Sequence, residues 1–494
     1  MKKTVAYTLL LALILSTAAC GSETGDQVTL PNETSSMTET ESKYIDDLPA
    51  DLRFNGDTVT FLYREEVASE FTVDEATGDV VDDAIFDSFR SVEERLNVNI
   101  ANVKRLGHTQ DHRSDYMNHI TSTILAGDDE YDWVDLMIGN SPTLMNQGIF
   151  IDLVQNEYID LDKPYYLGGL IDQCAVDGRL YFVSGDASLG YMKCAFCMYF
   201  NQRLMDEYKI ENPYDLVDSG KWTLDKLGEI ATKAAQDING DGKYDLEDKL
   251  GFVVHENNHP KGFRISTDSV MYKKDSSGEW KFTYGSERDE AIVNKLYELF
   301  FVDEGACFSG VTNSIPDQLE TYNKFSDKFR SGDIFIMTAE MDDSVAQLRN
   351  MKDDYGILPY PKYDESDEYR SSARNTHNAF SMPVTTSHED IAGAVLEALS
   401  SEKYETVLPA YFETALKKKY ARDDDSSRMY DLIRETMTLD FGYIYSNAIG
   451  WADSLFNDSY MKENSFASNL ASRKSALETN LETYMSNLRE MINS

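Results

Sequence analysis

Two rhythms of apolar and polar positions alternate along the chain. Residues 57–64 (Asp57-Thr58-Val59-Thr60-Phe61-Leu62-Tyr63-Arg64) read as a strand, and residues 84–96 place apolar side chains at helical spacing. Residues 98–103 alternate as a second strand should, residues 116–125 resume the helical period, and residues 133–138 predict a third strand running into Gly139-Asn140. Strands that alternate with helices predict a parallel sheet covered by helices. Further strands are expected at residues 179–183 and 191–200, and a helix at residues 224–235 with Thr223 as its N-cap. Helical patterns also occupy residues 289–301, 391–399, 427–437 and 466–492, and no repeat of fixed period is visible.

The first residues break this pattern. Lys2 and Lys3 precede an apolar run from Val5 to Leu15 that ends in small residues and a cysteine, the layout of an export signal. A spanning helix needs about 20 apolar residues, and no later stretch approaches that length. The segment Ser16-Thr17-Ala18-Ala19-Cys20-Gly21-Ser22 is similar to a bacterial lipobox, with Thr17 where an aliphatic residue is usual, so residues 1–20 read as a lipoprotein signal segment that is cut before Cys20, leaving Cys20 as the first residue and the one that carries the lipid. Residues 21–50 are expected to form a tether, since as far as Ser42 they are mostly Ser, Thr, Glu, Asp and Gly and cannot bury enough surface to offset chain entropy.

About 450 residues remain, more than one ordinary core holds, which predicts two lobes. The 46 Lys and Arg against 87 Asp and Glu leave a formal charge of -41, with no basic patch on which a nucleic-acid backbone would settle. Beyond Cys20 the cysteines are Cys174, Cys194, Cys197 and Cys307. Cys194 and Cys197 lie in the apolar run 191–200, where an i, i+3 pair on a strand points to opposite faces, so two buried thiols are expected rather than a redox or zinc pair.

Several segments, in their shared order, resemble the family 1 extracellular solute-binding proteins that serve ABC importers for sugars. They are Tyr131-Asp132-Trp133-Val134-Asp135-Leu136, Val176-Asp177-Gly178-Arg179-Leu180-Tyr181-Phe182-Val183, Met198-Tyr199-Phe200-Asn201-Gln202-Arg203-Leu204 followed by Asn212-Pro213 and Lys221-Trp222-Thr223, and Phe329-Arg330-Ser331-Gly332-Asp333-Ile334-Phe335-Ile336-Met337. The resemblance implies an α/β, two-lobed periplasmic-binding-protein-like fold of type II with hinge-crossing segments. It also implies a lipoprotein on the outer side of the cell membrane that captures a small ligand, an oligosaccharide, and delivers it to ABC permease subunits. The expected division is lobe 1 over residues 51–170, lobe 2 over 171–315, a lobe 1 return over 316–360, and the lobe 2 remainder with C-terminal helices over 361–494. A hinge-bending receptor of this kind is expected to be monomeric, and to be no enzyme. The competing reading is a secreted carbohydrate-active hydrolase, which needs two carboxyls of unequal pKa that one sequence does not reveal.

Ligands of open α/β sheets sit beyond the carboxyl ends of the strands. That rule nominates Tyr63, Arg64, Asn140 and Glu340, with Asp186, Tyr191, Arg374 and Asn375 across the cleft. Tyr443 and Trp451 stand in a segment mixing aromatic and polar residues, which suits the apolar faces and hydroxyls of a sugar, with core packing as the alternative. Trp222 is read as packing at a helix start. Residues 237–248 fit a calcium loop: Asp237, Asn239 and Asp241 at positions one, three and five, Gly242 at the sharp turn, the Lys243 carbonyl, Asp245, and Asp248 at the twelfth position where Glu is usual. A structural calcium ion is expected there, the alternative being a solvated acidic turn.

Overall fold

The computed structural model describes residues 44–242, 244, 246–254, 258–302, 307–309, 318–420 and 423–493. The expectations for residues 1–20, Cys20 and the tether up to residue 43, and those for Lys243 and Asp245, lie outside the described residues.

The chain's first folded residues come earlier than its composition suggests. Leu48 is buried, Asp46 is ion-paired with Arg95 at 2.6 Å, and the Arg95 guanidinium lies 3.7 Å from the centre of the Tyr44 ring. The tether therefore does not extend to residue 50; three well-placed side chains hold residues 44–50 against the body, a long-range effect that local polarity hides.

Eleven strands occur among the described residues: β1 (Thr58–Arg64), β2 (Asn99–Arg105), β3 (Trp133–Met137), β4 (Phe196–Asn201), β5 (Leu250–Val254), β6 (Tyr272–Lys274), β7 (Trp280–Phe282), β8 (Cys307–Ser309), β9 (Ile334–Glu340), β10 (Tyr355–Leu358) and β11 (Asn378–Ser381). The first sheet has the order β11-β3-β1-β2, with β1 parallel to β2 and β3, and β11 antiparallel to β3. The second has the order β10-β4-β9-β5-β8, with β5 parallel to β8 and β9, and β4 antiparallel to β9 and β10. β6 and β7 form a separate hairpin.

Local sequence accounts for the opening unit. Val59, Phe61, Leu62 and Tyr63 are buried, because β1 is central and covered on both faces. The helix Val80–Leu96 begins where the Asp79 carboxylate accepts the Val81 amide at 2.9 Å, buries Ile85, Phe89, Val92 and Leu96 at three- and four-residue spacing, and stops at Asn97, whose φ of 50° an Asn tolerates. Each such buried side chain contributes about 1.5–3 kcal/mol. Residues 179–183 make only isolated bridges, and residues 190–193 form a helical turn before β4, so the strand expected at 191–200 is shorter than the apolar run. Cys194 and Cys197 are buried free thiols.

The division into lobes is corrected at the return. β9 is the central strand of the second sheet, between β4 and β5, so residues 334–340 do not return to lobe 1. The return is made by residues 371–381, and the helix Glu389–Glu405, within the stretch assigned to lobe 2, packs on the helix Val80–Leu96 of the first lobe. An apolar run marks a buried strand without saying in which sheet it is buried.

Two crossing segments connect the lobes side by side. Residues 184–195 leave the first sheet and residues 371–378 come back, bridged at Val183 with Phe380 and at Ala195 with Ala373. The buried Lys403 pins the outgoing segment, its Nζ donating to the carbonyls of Phe71 at 2.6 Å and Ala187 at 2.9 Å. The last helix, Phe466–Ile492, touches both lobes: Phe466 packs edge-on against Tyr284, the Tyr484 hydroxyl donates to the Pro142 carbonyl at 2.8 Å, and Met491 lies over Gly148.

Candidate ligand-binding cleft

The carboxyl ends of β1, β2 and β3 deliver Arg64, the loop 106–109 and Gly139-Asn140, while the second sheet delivers Glu340 at the end of β9 and, beyond β5, the helix His259–Ser266. Between them passes the returning segment, whose residues reach both sides. The Gly139 amide donates to the Asn375 carbonyl at 3.0 Å and the Ile138 amide to the His377 carbonyl at 2.9 Å, while Arg374 pairs with Glu340 at 3.1 Å. Gly139 is required here, because a β-carbon at that position would come 2.8 Å from the Asn375 side-chain nitrogen.

On the first-lobe side Arg64 is 1% exposed and clamped by the buried Asp135 carboxylate, Nε to Oδ2 at 2.7 Å and Nη2 to Oδ1 at 3.2 Å. Its remaining nitrogen donates to the Thr376 carbonyl at 3.1 Å and meets His108 Nδ1 at 3.1 Å. Burial and the nearby positive charges of Arg64, Arg374 and Arg113 hold His108 down to about 3, so the imidazole is neutral. Because a guanidinium only donates, Nδ1 accepts and the proton sits on Nε2, which makes His108 a donor toward a ligand. Glu66, held down to about 2, accepts the amides of Gly107 at 2.9 Å and His108 at 3.1 Å and fixes this loop.

On the second-lobe side Arg264 is buried between Asp440 at 2.7 Å and Asp453 at 3.1 Å. Lys261 lies 3.3 Å from the other Asp453 oxygen and 5.3 Å from the centre of the Tyr443 ring. His259 Nδ1 is 2.9 Å from the Thr338 hydroxyl, and its ring meets Phe196 edge-on. Planar charged groups fixed by neighbours, with aromatic faces among them, suit a ligand that presents many hydroxyls on an apolar ring.

The nominated residues do not all fall together. Tyr63 and Arg64 are removed from the contact set, because both are buried and their polar atoms are spent internally: the Tyr63 hydroxyl meets Ser188 at 3.1 Å and Asn378, and its ring stacks on Phe71. Tyr191 and Tyr443 are also buried; Tyr191 meets His377 edge-on, and the Tyr443 hydroxyl accepts the Asn375 amide at 3.3 Å. Glu340, Arg374, Asn375 and Asn140 do converge on the returning segment and its neighbours, with Asn140 accepting from Asn447 at 3.0 Å. Asp186 stands on the outgoing segment, its carboxyl pushed up to about 7 by burial. Trp451 is 63% exposed in a turn whose amide donates to Ser446 at 2.7 Å, so it is not a core side chain. Trp222 is, with its indole N–H on the Pro359 carbonyl at 2.9 Å.

Sequence reasoning missed His108, Arg113, His259, Lys261 and Glu70. The strand-end rule would have found His108 had β2 been carried to Arg105 rather than stopped at Val103. Glu70 sits at the hinge and is pushed up to about 7 by burial, opposed by Lys193 and Arg64; it packs with Asn378 against the bare Gly190.

In the acidic loop the Asp237 carboxylate accepts the amides of Gly240 at 2.7 Å and Gly242 at 2.9 Å, Asn239 accepts that of Asp241 at 2.8 Å, and the buried Asp248 accepts that of Ile238 at 2.8 Å. Among the described residues no three His, Cys, Asp or Glu side chains are grouped to hold a metal ion. None of the described helices is long and apolar enough to cross a membrane.

No family model matches the sequence, and no curated protein does. Solved structures match the fold. The galacto-N-biose-/lacto-N-biose I-binding protein of the ABC transporter from Bifidobacterium longum, in complex with lacto-N-biose, is 13% identical, with 88% of this chain and 98% of that chain covered and a TM-score of 0.54. A sugar transporter protein from Rhizobium etli in an open conformation is 16% identical over 87% and 99% of the two chains, with a TM-score of 0.54. A family 1 extracellular solute-binding protein from Bifidobacterium longum subsp. infantis is 13% identical over 87% and 100%, with a TM-score of 0.51. The chain has the two-lobed α/β fold of these binding proteins.

Proposed function

We propose that this protein is the extracellular substrate-binding lipoprotein of an ABC importer and captures a saccharide between its lobes. The observation that carries the reading is the meeting of the strand ends of two sheets on one returning segment, where Asn375 binds the first lobe and Arg374 pairs with Glu340 of the second. A ligand held there contacts both lobes and so favours their closed arrangement over the open one. The test is a thermal-shift and calorimetric screen of mono- and oligosaccharides, followed by chromatography of the recovered sugar. A receptor returns the sugar intact, and shortened products would overturn the reading in favour of hydrolysis.

Cys20 is the lipid-bearing residue, the permease subunits are the partners, and the body works as a monomer; Cys20→Ala should release the protein from membranes into the medium. The loop 237–248 holds a structural calcium ion. The Asx turns of Asp237 and Asn239 and the left-handed Gly240 and Gly242, at φ 74° and 80°, support this by curling the chain around the acidic side chains.

A further inference from the structure

The chain carries a large negative charge, yet one stretch of the cleft is lined by arginines. Arg64 is neutralised by Asp135 and Arg374 by Glu340. Arg113, half-buried in the first turn of the helix Gln110–Leu125, has no carboxylate partner among the described residues. Its Nη2 donates to the His108 carbonyl at 3.2 Å, and its Nε is buried with no acceptor. Arg374 repeats the defect: its Nε lies 3.1 Å from Glu340 Oε1, but the N–H does not point along that line and finds no acceptor. Thr376, two residues on, has a buried hydroxyl without a partner. The Glu66 carboxylate is spent on the amides of Gly107, His108 and Thr109 and on His112. Burial first, and then the positive charges of Arg64 and Arg374, hold the pKa of Arg113 down.

A buried guanidinium N–H without an acceptor costs free energy that an anionic acceptor recovers. We propose that the ligand of this cleft is an acidic saccharide, whose carboxylate accepts from Arg113 and Arg374 and, through the neutral ring's Nε2–H, from His108. This rests on the saccharide reading and narrows it to sugars bearing a uronic acid. A planar carboxylate matches the fork of a guanidinium, and the neighbouring Thr376 hydroxyl supplies a donor or acceptor for an adjoining sugar hydroxyl.

The experiment is calorimetric titration of the full chain with disaccharides of galacturonate, glucuronate, mannuronate and guluronate, with the neutral galactose, glucose and mannose disaccharides, and with a sulfated galactose. One or more uronates should bind roughly 10- to 100-fold more tightly than the neutral partner, and Arg113→Met should erase that preference while Arg113→Lys keeps part of it. Arg113 is half-exposed and its loss leaves the Arg64–Asp135 pair in place, so the melting temperature should not move. Neutral disaccharides that bind as tightly as the uronates, with Arg113→Met without effect, would overturn the inference and leave the saccharide reading standing. A sulfated sugar that binds as well as the uronates overturns the carboxylate assignment. Failure of every saccharide to bind overturns both.

Discussion

Asp135→Ala isolates what the centre of the first lobe is built on. Asp135 and Arg64 are both almost completely buried, and the carboxylate accepts four hydrogen bonds: Arg64 Nε at 2.7 Å, Arg64 Nη2 at 3.2 Å, the Arg64 amide at 3.3 Å and Asn378 Nδ2 at 2.9 Å. Truncation strands a guanidinium in the interior, and removal of one partner of such a pair costs about 3–5 kcal/mol. Urea unfolding followed by tryptophan fluorescence should show this as a lower midpoint. Because Asn378 belongs to β11, the loss should also loosen the returning segment and weaken ligand binding without any direct contact. The double variant Arg64→Met/Asp135→Leu should recover most of the stability, since a buried ion pair replaced by apolar side chains of similar size is often neutral. A cost below about 1 kcal/mol for Asp135→Ala, or a double variant no better than the single, would refute the view of Arg64 as a framework residue and return it to the ligand.

Burial pushes Glu397, which accepts from the Tyr166 hydroxyl at 2.7 Å and from Tyr165, up to about 7. The folded state therefore binds an extra proton above the unfolded carboxyl's range near 4.3: the favourable share is complete below that range and is lost as pH rises through 7, roughly 4 kcal/mol in all. Urea midpoints from pH 4.5 to 8 should show the slope, and Glu397→Gln should flatten it. A chelator should lower the melting temperature, by an amount worth about 2.7 kcal/mol if free calcium had stood at 100 times its dissociation constant; Asp241→Ala should abolish the response, and an unchanged melt in the parent would leave the loop a turn. Trp451→Ala should weaken saccharide binding by about 1–3 kcal/mol with the melt unmoved, because the indole is largely exposed; unchanged calorimetric affinity removes it from the site.

The alternating rhythm made the first lobe legible up to β3, because consecutive βα units declare themselves locally. The helix Phe466–Ile492 was equally plain from its period. What stayed hidden was pairing between distant segments. For β9 and β11 the sheet is decided by partners more than a hundred residues away, Phe200 with Ile336 and Leu136 with Ala379. The candidate site was legible in part for the same reason: the strand-end rule nominated Glu340 and Asn140, which lie beside the returning segment, but it could not tell that Arg64 at a strand end is spent on Asp135, whose partner role no local pattern announces. Arg113 escaped notice because a charged residue in the first turn of a helix ordinarily faces solvent.

The helix Phe466–Ile492 has a mechanical meaning. At 1.5 Å per residue it is a rod of about 40 Å, seated on the second lobe through Phe466, tied to the β6–β7 hairpin by Arg489 and Glu279 at 2.7 Å, and reaching the first lobe through Tyr484 and Met491. A rod does not stretch. Lobes joined both by paired crossing segments and by this brace cannot slide or pull apart freely; the motion left to them is a swing about an axis that preserves the helix's contacts, or one that breaks the Tyr484–Pro142 bond as a discrete event. Hydrogen exchange at the end of the helix should then report the swing, with the amides beyond Tyr484 acting as a gauge of hinge angle that lies well away from the bound ligand.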